Sequence, residues 1–456
     1  MTLEEIINEY EEYTPSSKIM YERSCKSLPG GVTANVKYYA PYPIFMKGGE
    51  GPYLYDVDDN KYVDYLASYG PLILGHKHPV VVNAIKSQLD ENGAHLYGTP
   101  HELEYVFAEK IKEHFPSIEM LRYTNSGTEA TLLAIRMAFA FTGKYKLGKF
   151  EGHYHGGYNE VLVSVNPDIN KAGDVHHPNS LPESKGLEPY RLEDTVILPF
   201  NDLEGCKEIL TAHKDDMAAV IMEPIQTGFI MADSEFMVGL RKLTEELGIL
   251  LIFDEVKTGF RAGLGGAQGV YGIKPDLTTM GKAIGAGLPM GVVGGRADIL
   301  MDASPKRGAD ILDPSAKNNS SASSVLYHSG TYNGHPMILK AGLATIEVLE
   351  KEFDSIVEKT NALRKGIEEA FFEKGIPVLT VGEATVFNYA LTDKKEIKNY
   401  RDMQTVDFAT RKKIDFALFM EGIYNKPLNR FSVSAVHDDS VIDFTIQAFR
   451  NALAKI

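Results

Sequence analysis

A single lysine stands in a stretch of small and apolar residues in the second half of the chain. The stretch runs over 278–289 with the letters TTMGKAIGAGLP, and Lys282 is its one charged residue. An amine held among apolar groups and away from water is a good nucleophile toward a carbonyl carbon. The same pattern is also typical of a lysine on a loop whose ammonium reaches solvent. Taken alone, it makes Lys282 a candidate for covalent chemistry and leaves both interpretations open.

A possible phosphate site lies in the letters NSGTEA at 125–130, which open a helical run. The N–H groups in the first turn of a helix have no intrahelical acceptor. Together with the hydroxyls of Ser126 and Thr128 they could hold a phosphate. An ordinary helix N-cap followed by Glu129 in the first turn would give the same letters. The motif therefore predicts a helix and leaves phosphate binding open.

Two neighbouring carboxylates, Asp254 and Glu255, end the apolar run ILLIFDE at 249–255. Active sites of α/β proteins gather at the carboxyl ends of parallel strands. A buried Asp254 at such a place could keep a pyridine-type ring nitrogen protonated, so that the ring draws electrons from a substrate. A carboxylate that only solvates a loop is the alternative.

The helices and strands that bring these motifs together must be predicted from the rest of the sequence. Short apolar runs alternate with helical patterns, which is typical of a buried parallel sheet with crossover helices. The runs lie at 196–200, 218–223, 249–255 and 291–295. We therefore expect an α/β fold with a mostly parallel sheet.

The two ends of the chain differ from this central part. Residues 1–28 have a helical, amphipathic pattern that Pro29 ends. Alternating runs over 53–66 predict a β-hairpin. After about Tyr332 helical patterns dominate, with strand-like pieces near 384–391 and 431–435, and the polar stretch 318–324 is predicted to be a loop.

The three motifs occur in one order, phosphate anchor, ring acid and lysine, and with them the sequence resembles the class III (fold type I) PLP-dependent aminotransferases. The resemblance also rests on EP at 223–224, on LIFDEVKTGFR, on GVVGG at 291–295 and on HSGTYNGHP, and it covers about 26–452. Within the class the chain is most similar to glutamate-1-semialdehyde 2,1-aminomutase and its transaminase relatives, through LPGGV at 28–32 and TGFRAGLGGAQ.

This resemblance implies a PLP-transferase type I fold with pyridoxal 5′-phosphate (PLP) as cofactor. It implies a large PLP-binding domain over 76–330. A smaller α+β domain would be built from an N-terminal segment, 1–75, and a C-terminal part, 331–456. A homodimer with shared active sites is also implied.

The resemblance further assigns catalytic roles around the cofactor ring. Lys282 matches the Schiff-base lysine, and Asp254 matches the partner of the ring nitrogen. Val256 matches the aliphatic contact on one ring face, and Tyr154 matches the aromatic side chain on the other. Glu223 matches an acid near the cofactor and substrate.

Five more cofactor-binding positions follow from the same resemblance. Ser126, Gly127 and Thr128 match the phosphate cup of the family. Thr331 matches a threonine that reaches the phosphate of the neighbouring subunit, and Gln226 matches a glutamine near the cofactor 3′-oxygen.

The function implied is ping-pong transfer of an amino group between an amino acid or amine and a keto acid. The alternative is the intramolecular reaction of the aminomutase, or of another PLP isomerase or epimerase; a lyase or a binding protein on this fold is less favoured. Lys37 aligns with an arginine that meets the substrate carboxylate in the aminomutase, and 425–431 lacks that family's acidic loop residue. Gln226 is also more typical of transaminases. These departures favour the intermolecular reaction.

Composition restricts the partners. Lys and Arg number 47 against 62 Asp and Glu, and a net charge of −15 disfavours nucleic acid and anionic membranes. No apolar run is long enough for a membrane span, and the acidic N-terminus lacks the features of a signal peptide. Two isolated cysteines, Cys25 and Cys206, argue against a disulfide scaffold. A cytoplasmic enzyme with small-molecule amino donor and keto acceptor is expected.

Two patterns that suggest metal sites have ordinary interpretations. The acidic run 56–60 begins like a calcium loop but lacks the glycine and the final glutamate that such a loop needs. The HxH pairs at 76–78 and 153–155 have no third ligand evident in the sequence. Packing or hydrogen bonding is favoured for these histidines, and no metal is predicted.

Overall fold

The computed structural model describes residues 1–92, 95–305 and 325–456. They divide into two compact units. The terminal unit consists of Met1–Val82, Lys351–Ile397 and Asp402–Ile456, and the central unit of Asn83–Glu350 and Lys398–Arg401. The predicted domain boundaries at 75/76 and 330/331 stay predictions. The predicted loop at 318–324 lies outside the described residues.

The regular elements are numbered in chain order. The strands are β1 (Met46–Glu50), β2 (Tyr53–Asp56), β3 (Lys61–Asp64), β4 (Met120–Thr124), β5 (Lys146–Phe150), β6 (Thr195–Leu198), β7 (Met217–Met222), β8 (Ile225–Gln226), β9 (Ile230–Met231), β10 (Leu250–Asp254), β11 (Leu277–Gly281), β12 (Gly291–Gly295), β13 (Leu379–Glu383), β14 (Val386–Ala390), β15 (Ile423–Tyr424) and β16 (Phe431–Ser432). The helices are α1 (Leu3–Tyr13), α2 (Pro15–Ser24), α3 (Pro79–Asn92), α4 (Glu102–His114), α5 (Gly127–Thr142), α6 (Arg191–Asp194), α7 (Leu203–Ala212), α8 (Ser234–Leu247), α9 (Gly266–Tyr271), α10 (Ala297–Leu300), α11 (Pro336–Glu373), α12 (Tyr400–Met403), α13 (Phe408–Met420) and α14 (Asp439–Lys455). None of the helices in the described ranges combines the length and the apolar character needed to cross a bilayer.

The central unit contains a seven-stranded sheet in the order β4-β12-β11-β10-β7-β5-β6. The pairs β11–β10, β10–β7, β7–β5 and β5–β6 are parallel, which confirms the predicted mostly parallel sheet. Strand β12 is antiparallel to both of its neighbours, unlike the other predicted runs. Only residues 282–290 join β11 to β12, and a parallel connection would need a crossover of a dozen or more residues.

The core of the central unit explains why its strands appear in the sequence as continuous apolar runs. Every residue of β7, β10, β11 and β12 is buried. Helix α5 packs against this sheet with Ala130, Leu133, Ala134 and Met137 buried. It ends at Gly143, whose φ of +67° favours glycine. The sheet and α5 thus fix the positions of the strand ends.

The terminal unit contains two smaller sheets, β1-β2-β3-β15 and β13-β14-β16. The predicted hairpin is confirmed, since β2 and β3 pair antiparallel. The Asp56 carboxylate accepts the N–H groups of Asp58 and Asn60 at 2.9 and 2.8 Å and so closes this turn. The N-terminal helical pattern forms two helices instead of one, because Pro15 starts a new helix.

Candidate active site

A cavity of about 230 Å³ lies at the carboxyl ends of the central strands. It is lined by Gly127, Thr128, Thr131, Tyr154, His155, Gly156, Glu223, Asp254, Val256, Lys257 and Lys282. Most of these residues lie at the end of β4, β5, β7, β10 or β11 or in the segment that follows it. The sheet order therefore gathers residues from five separate stretches of sequence, as expected for the ligand-binding edge of an α/β sheet.

Seven of the predicted site residues line this cavity. They are Gly127, Thr128, Tyr154, Glu223, Asp254, Val256 and Lys282. The structure thus brings together the lysine, the ring acid and part of the phosphate motif, which the sequence presents as three distant motifs. Their individual roles remain predictions.

Lys282 directly follows β11 and has an unusual backbone. Its φ is +49°, in the left-handed region that non-glycine residues rarely adopt. Such a conformation costs free energy and persists only where the surrounding structure enforces it, most often at functional sites. The buried strand before Lys282 and the short 3₁₀ turn that it begins supply this enforcement.

The Asp254 carboxylate is buried and held from two sides. His155 Nδ1 lies 2.8 Å from Oδ2, and the Val256 N–H donates to Oδ1 at 3.0 Å. The Thr279 hydroxyl reaches the same Oδ1 at 3.4 Å. A carboxylate with these partners keeps one orientation, which suits it to hold a proton on a facing ring nitrogen.

Glu223 forms a second buried acidic site in the same cavity. Lys257 Nζ lies 2.6 Å from its Oε1, and the Tyr154 N–H donates to its Oε2 at 2.9 Å. Burial acts to raise the pKa of Glu223, but the charges of Lys257, His153 and His155 outweigh burial and lower that pKa to about 2. Glu223 is therefore a carboxylate at neutral pH and orients the backbone that carries the Tyr154 ring.

One side of the cavity is formed by the first turn of α5. Ser126 caps this helix, and its hydroxyl accepts the Glu129 N–H at 3.1 Å. Gly127 packs so closely on Val256 that an added Cβ would lie 2.6 Å from Val256 Cγ1. The contact leaves no room for a side chain at position 127 and keeps the backbone amides of the first turn beside the cavity.

Three predicted residues do not line the cavity. Ser126 acts as the α5 cap. Gln226 is buried, and its Nε2 donates to the Glu151 carbonyl at 3.1 Å. Thr331 is exposed in a turn before α11. Their predicted contacts with the cofactor stay predictions.

The sequence did not predict four of the lining residues, Thr131, His155, Gly156 and Lys257. The prediction of packing or hydrogen bonding for His155 is confirmed by its contact with Asp254, but its place in the cavity was not predicted. Its position next to Tyr154 in the sequence was the available signal. Lys257 and Thr131 stand close to predicted residues, but nothing in their local pattern marks them.

Comparison with known proteins identifies the family. The family model described as aminotransferase class-III matches residues 34–375. The chain belongs to the class III aminotransferases. This family accounts for the fold, since solved members share it at high similarity, and it confirms the resemblance carried by the sequence motifs.

Individual class III relatives span nearly the whole chain. A glutamate-1-semialdehyde 2,1-aminomutase of Methanothrix thermoacetophila is 39% identical over 440 residues, covering 95% of this chain and 96% of its own. The crystal structure of an omega-transaminase from Sphaerobacter thermophilus is 34% identical with a TM-score of 0.88, covering 96% of this chain and 97% of its own. A structure described as a transaminase with PLP bound is 29% identical with a TM-score of 0.85, covering 97% and 98%. The aminomutase relative supports the predicted alternative better than it supports intermolecular transamination.

The cofactor of this class III chain is PLP, and the cavity residues fit it. The oriented carboxylate of Asp254 suits the ring nitrogen, and the amides and hydroxyl of the first turn of α5 suit the phosphate. His155 Nε2 is a buried nitrogen without a hydrogen-bond partner among the described residues. A ligand in the cavity could therefore form a hydrogen bond with this atom.

Proposed function

We propose that this protein moves amino groups with PLP held at Lys282. The observation that carries the proposal is that Lys282, Asp254 and Tyr154 line one cavity beside the first turn of α5. PLP chemistry requires a nucleophilic amine, an acid that faces the ring nitrogen and an aromatic side chain beside an anion site.

The chemistry then divides between cofactor and chain. When bound, PLP supplies an electrophilic carbon and a ring that takes up electron density from the substrate. Lys282 Nζ would hold the cofactor, and its amine would move a proton at the substrate carbon. Asp254 would hold the proton on the ring nitrogen, and His155 keeps that carboxylate in place. Tyr154 and Val256 would contact the ring.

Two lysines line the cavity, and Lys282 is the one that matches the Schiff-base lysine of the family. Lys257 Nζ lies 2.6 Å from Glu223 Oε1 and is assigned to that ion pair. Borohydride reduction of the PLP-loaded protein followed by peptide mapping should therefore label Lys282. A label on Lys257 or on any other lysine would show that the assignment is wrong.

The first candidate reaction is the intramolecular one. The aminomutase relative is 39% identical across nearly the full length of both chains. An aminomutase moves the amino group between two carbons of one molecule, so the same cavity would serve both half-reactions without a second substrate.

The second candidate is intermolecular transamination. It is favoured by Lys37, which aligns with the arginine that meets the substrate carboxylate in the aminomutase. Lys37 is exposed, and its ammonium donates to the Thr33 hydroxyl at 2.8 Å. A lysine is a point charge on a flexible stem, and it clamps a carboxylate less rigidly than a bidentate arginine does.

One assay separates the two candidates. The pyridoxamine-loaded protein is given glutamate-1-semialdehyde alone, and 5-aminolevulinate is followed. Fast conversion without an added donor or acceptor supports the aminomutase. Little conversion, together with steady amino transfer from a donor panel to pyruvate or 2-oxoglutarate, supports the transaminase.

The predicted homodimer and the predicted cytoplasmic location belong to this proposal as well. Family resemblance supports the dimer. Light scattering of the purified protein at micromolar concentration should give the mass of two chains, and the mass of one chain would contradict this.

A further inference from the structure

Residues Lys398–Arg401 belong to the central unit, although the segments before and after them belong to the terminal unit. The Lys398 carbonyl accepts from Asn201 Nδ2 at 2.8 Å, and the Lys398 ammonium lies 3.2 Å from Asp233 Oδ2. This four-residue segment is thus tied to the central unit by its own polar contacts.

Arg401 makes the strongest of these contacts. Its Nε and Nη2 donate to the two oxygens of Glu151 at 2.8 and 2.9 Å, a bidentate pair. Its Nη1 and Nη2 also donate to the carbonyls of Ala172, Gly173 and Asp174 at 3.0 to 3.2 Å. The side chains of Arg401 and Glu151 are only 18% and 7% exposed. A guanidinium group with this many acceptors holds the Glu151 side chain in one position.

Glu151 begins a tightly packed stretch of backbone. Its carbonyl accepts from Gln226 Nε2 at 3.1 Å. The next residue, Gly152, has φ +79° and packs between Gln226 and Tyr400, where an added Cβ would lie 2.5 Å from Tyr400 Cβ. The backbone at 151–152 therefore has little room to move toward either neighbour.

Tyr154, the cavity residue, follows Glu151 by three positions. Its N–H donates to Glu223 Oε2 at 2.9 Å, and His153 Nδ1 accepts the Glu223 N–H at 3.0 Å. Residues 151–154 are thus held at the start by Arg401 and at the end by Glu223. Without the first contact, the start of this stretch would keep its backbone hydrogen bonds and the contact with Gln226 but lose the pair that fixes the Glu151 side chain.

We infer that Arg401 is a positioning residue for the PLP site, acting through Glu151 on Tyr154. Neither Arg401 nor any of its partners named above lines the cavity, so its effect has to pass along 151–154. The inference rests on the proposed function, because it takes Tyr154 to cover the cofactor ring. It goes beyond that function by assigning a role to a residue of the C-terminal part of the chain.

The test compares two matched arginines of the central unit. Arg241 pairs with Asp276 at 2.8 Å, with side chains 12% and 8% exposed, and neither residue lines the cavity. The variants Arg401→Lys and Arg241→Lys each keep the charge and lose the fork. For each, the PLP dissociation constant of the apoprotein, the visible circular dichroism of the bound cofactor, kcat and the thermal midpoint are measured.

We expect Arg401→Lys to weaken PLP binding and lower kcat, each by about 10- to 100-fold, the usual effect of a displaced active-site group. Its cofactor dichroism should fall as the ring loses its fixed aromatic neighbour. Arg241→Lys should lower the thermal midpoint at least as much and leave cofactor affinity and dichroism at the wild-type values.

Wild-type PLP affinity and dichroism in Arg401→Lys, or equal losses in Arg241→Lys, would overturn the inference while the proposed function stands. Failure of the wild-type apoprotein to bind PLP would overturn both. If Arg401→Lys does not fold, Glu151→Gln replaces it in the same comparison, because it keeps the side-chain shape and leaves the partly exposed Arg401 solvated. The same expected and contradicting results then apply.

Discussion

The Nδ1 atom of His155 lies 2.8 Å from Oδ2 of Asp254, and neither side chain is more than 5% exposed. The His155 ring thus donates to a largely buried carboxylate. Because Val256 and Thr279 reach the other oxygen, His155 is the partner that fixes the second one. The pair joins the segment after β5 to the end of β10, two strands that are not neighbours in the sheet.

We expect His155→Phe, which keeps the ring volume and loses the donor, to lower kcat. The loss should be about 10- to 100-fold, since a hydrogen bond to a charged group contributes about 1.5–3 kcal/mol. His155→Gln retains a donor and should recover part of the rate. Steady-state kinetics of both variants checks this, and a wild-type kcat in His155→Phe would contradict it.

Asp254→Asn should retain PLP but lose most activity. An amide carries no charge to stabilise a protonated ring nitrogen, and kcat should fall by about 100- to 1,000-fold, as when a main electrostatic contact is removed. Cofactor absorbance and kcat are the measurements.

The neighbouring acid supplies the control for Asp254→Asn. Burial raises the pKa of Glu255, while its oxygens accept the N–H groups of Ala267 and Gln268 at 2.9 and 2.8 Å. Glu255 does not line the cavity. Glu255→Gln should therefore lower stability and leave the cofactor spectrum unchanged. A larger loss of kcat in Glu255→Gln than in Asp254→Asn would transfer the role of ring acid to Glu255.

Lys282→Ala should abolish turnover and leave the fold intact. The variant removes the only amine proposed to hold the cofactor covalently and to move the substrate proton. Far-ultraviolet circular dichroism and the thermal midpoint should stay close to wild type, since a lysine at the end of a buried strand contributes little packing there. Residual turnover above a few percent of wild type would mean that another group carries the proton.

The sequence predicted those site residues that come at or after the end of a strand. Asp254, Glu223 and Lys282 each come after an apolar run or in a small-residue stretch that is visible in the letters. The mostly parallel sheet followed from the same runs. Strand β12 runs antiparallel because its connection to β11 is short, and the apolar pattern of a strand carries no direction.

Contacts across the sheet could not be predicted in this way. His155 meets Asp254 only because the sheet order places β5 and β10 on either side of β7. Arg401 and Glu151 are 250 positions apart, and no local pattern relates them. Pairing of Lys257 with Glu223 likewise depends on β7 and β10 being neighbours. Local sequence patterns specify elements, and the order of elements specifies such pairs.

The Lys257–Glu223 pair gives a prediction about the pH dependence of stability. The side chains are 14% and 3% exposed, and Lys257, together with His153 and His155, lowers the pKa of Glu223 to about 2 against the opposing effect of burial. Since this pKa lies below the ordinary value of 4.5, the pair stabilises the fold fully above about pH 4.5. The contribution is lost as the pH falls toward 2.

Lys257→Met should therefore lower the free energy of unfolding at pH 7 by about 3–5 kcal/mol, because it leaves a buried carboxylate without its cation. Without the Lys257 charge the effect of burial is less opposed, so the pKa of Glu223 should rise in the variant. The difference from wild type should shrink between pH 7 and pH 4, as Glu223 becomes protonated in the variant while it stays ionised in the wild type. Urea unfolding at pH 7, 5 and 4 measures both curves.

A double variant separates the loss of the pair from the loss of lysine packing. Lys257→Met combined with Glu223→Gln removes both charges, so it should recover much of the stability lost by Lys257→Met alone and remove the pH dependence of the difference. If the single variant loses less than about 1 kcal/mol at pH 7, the pair is no stronger than an exposed salt bridge. A difference that stays constant from pH 7 to pH 4 would show that the loss comes from packing and not from the charge of Glu223.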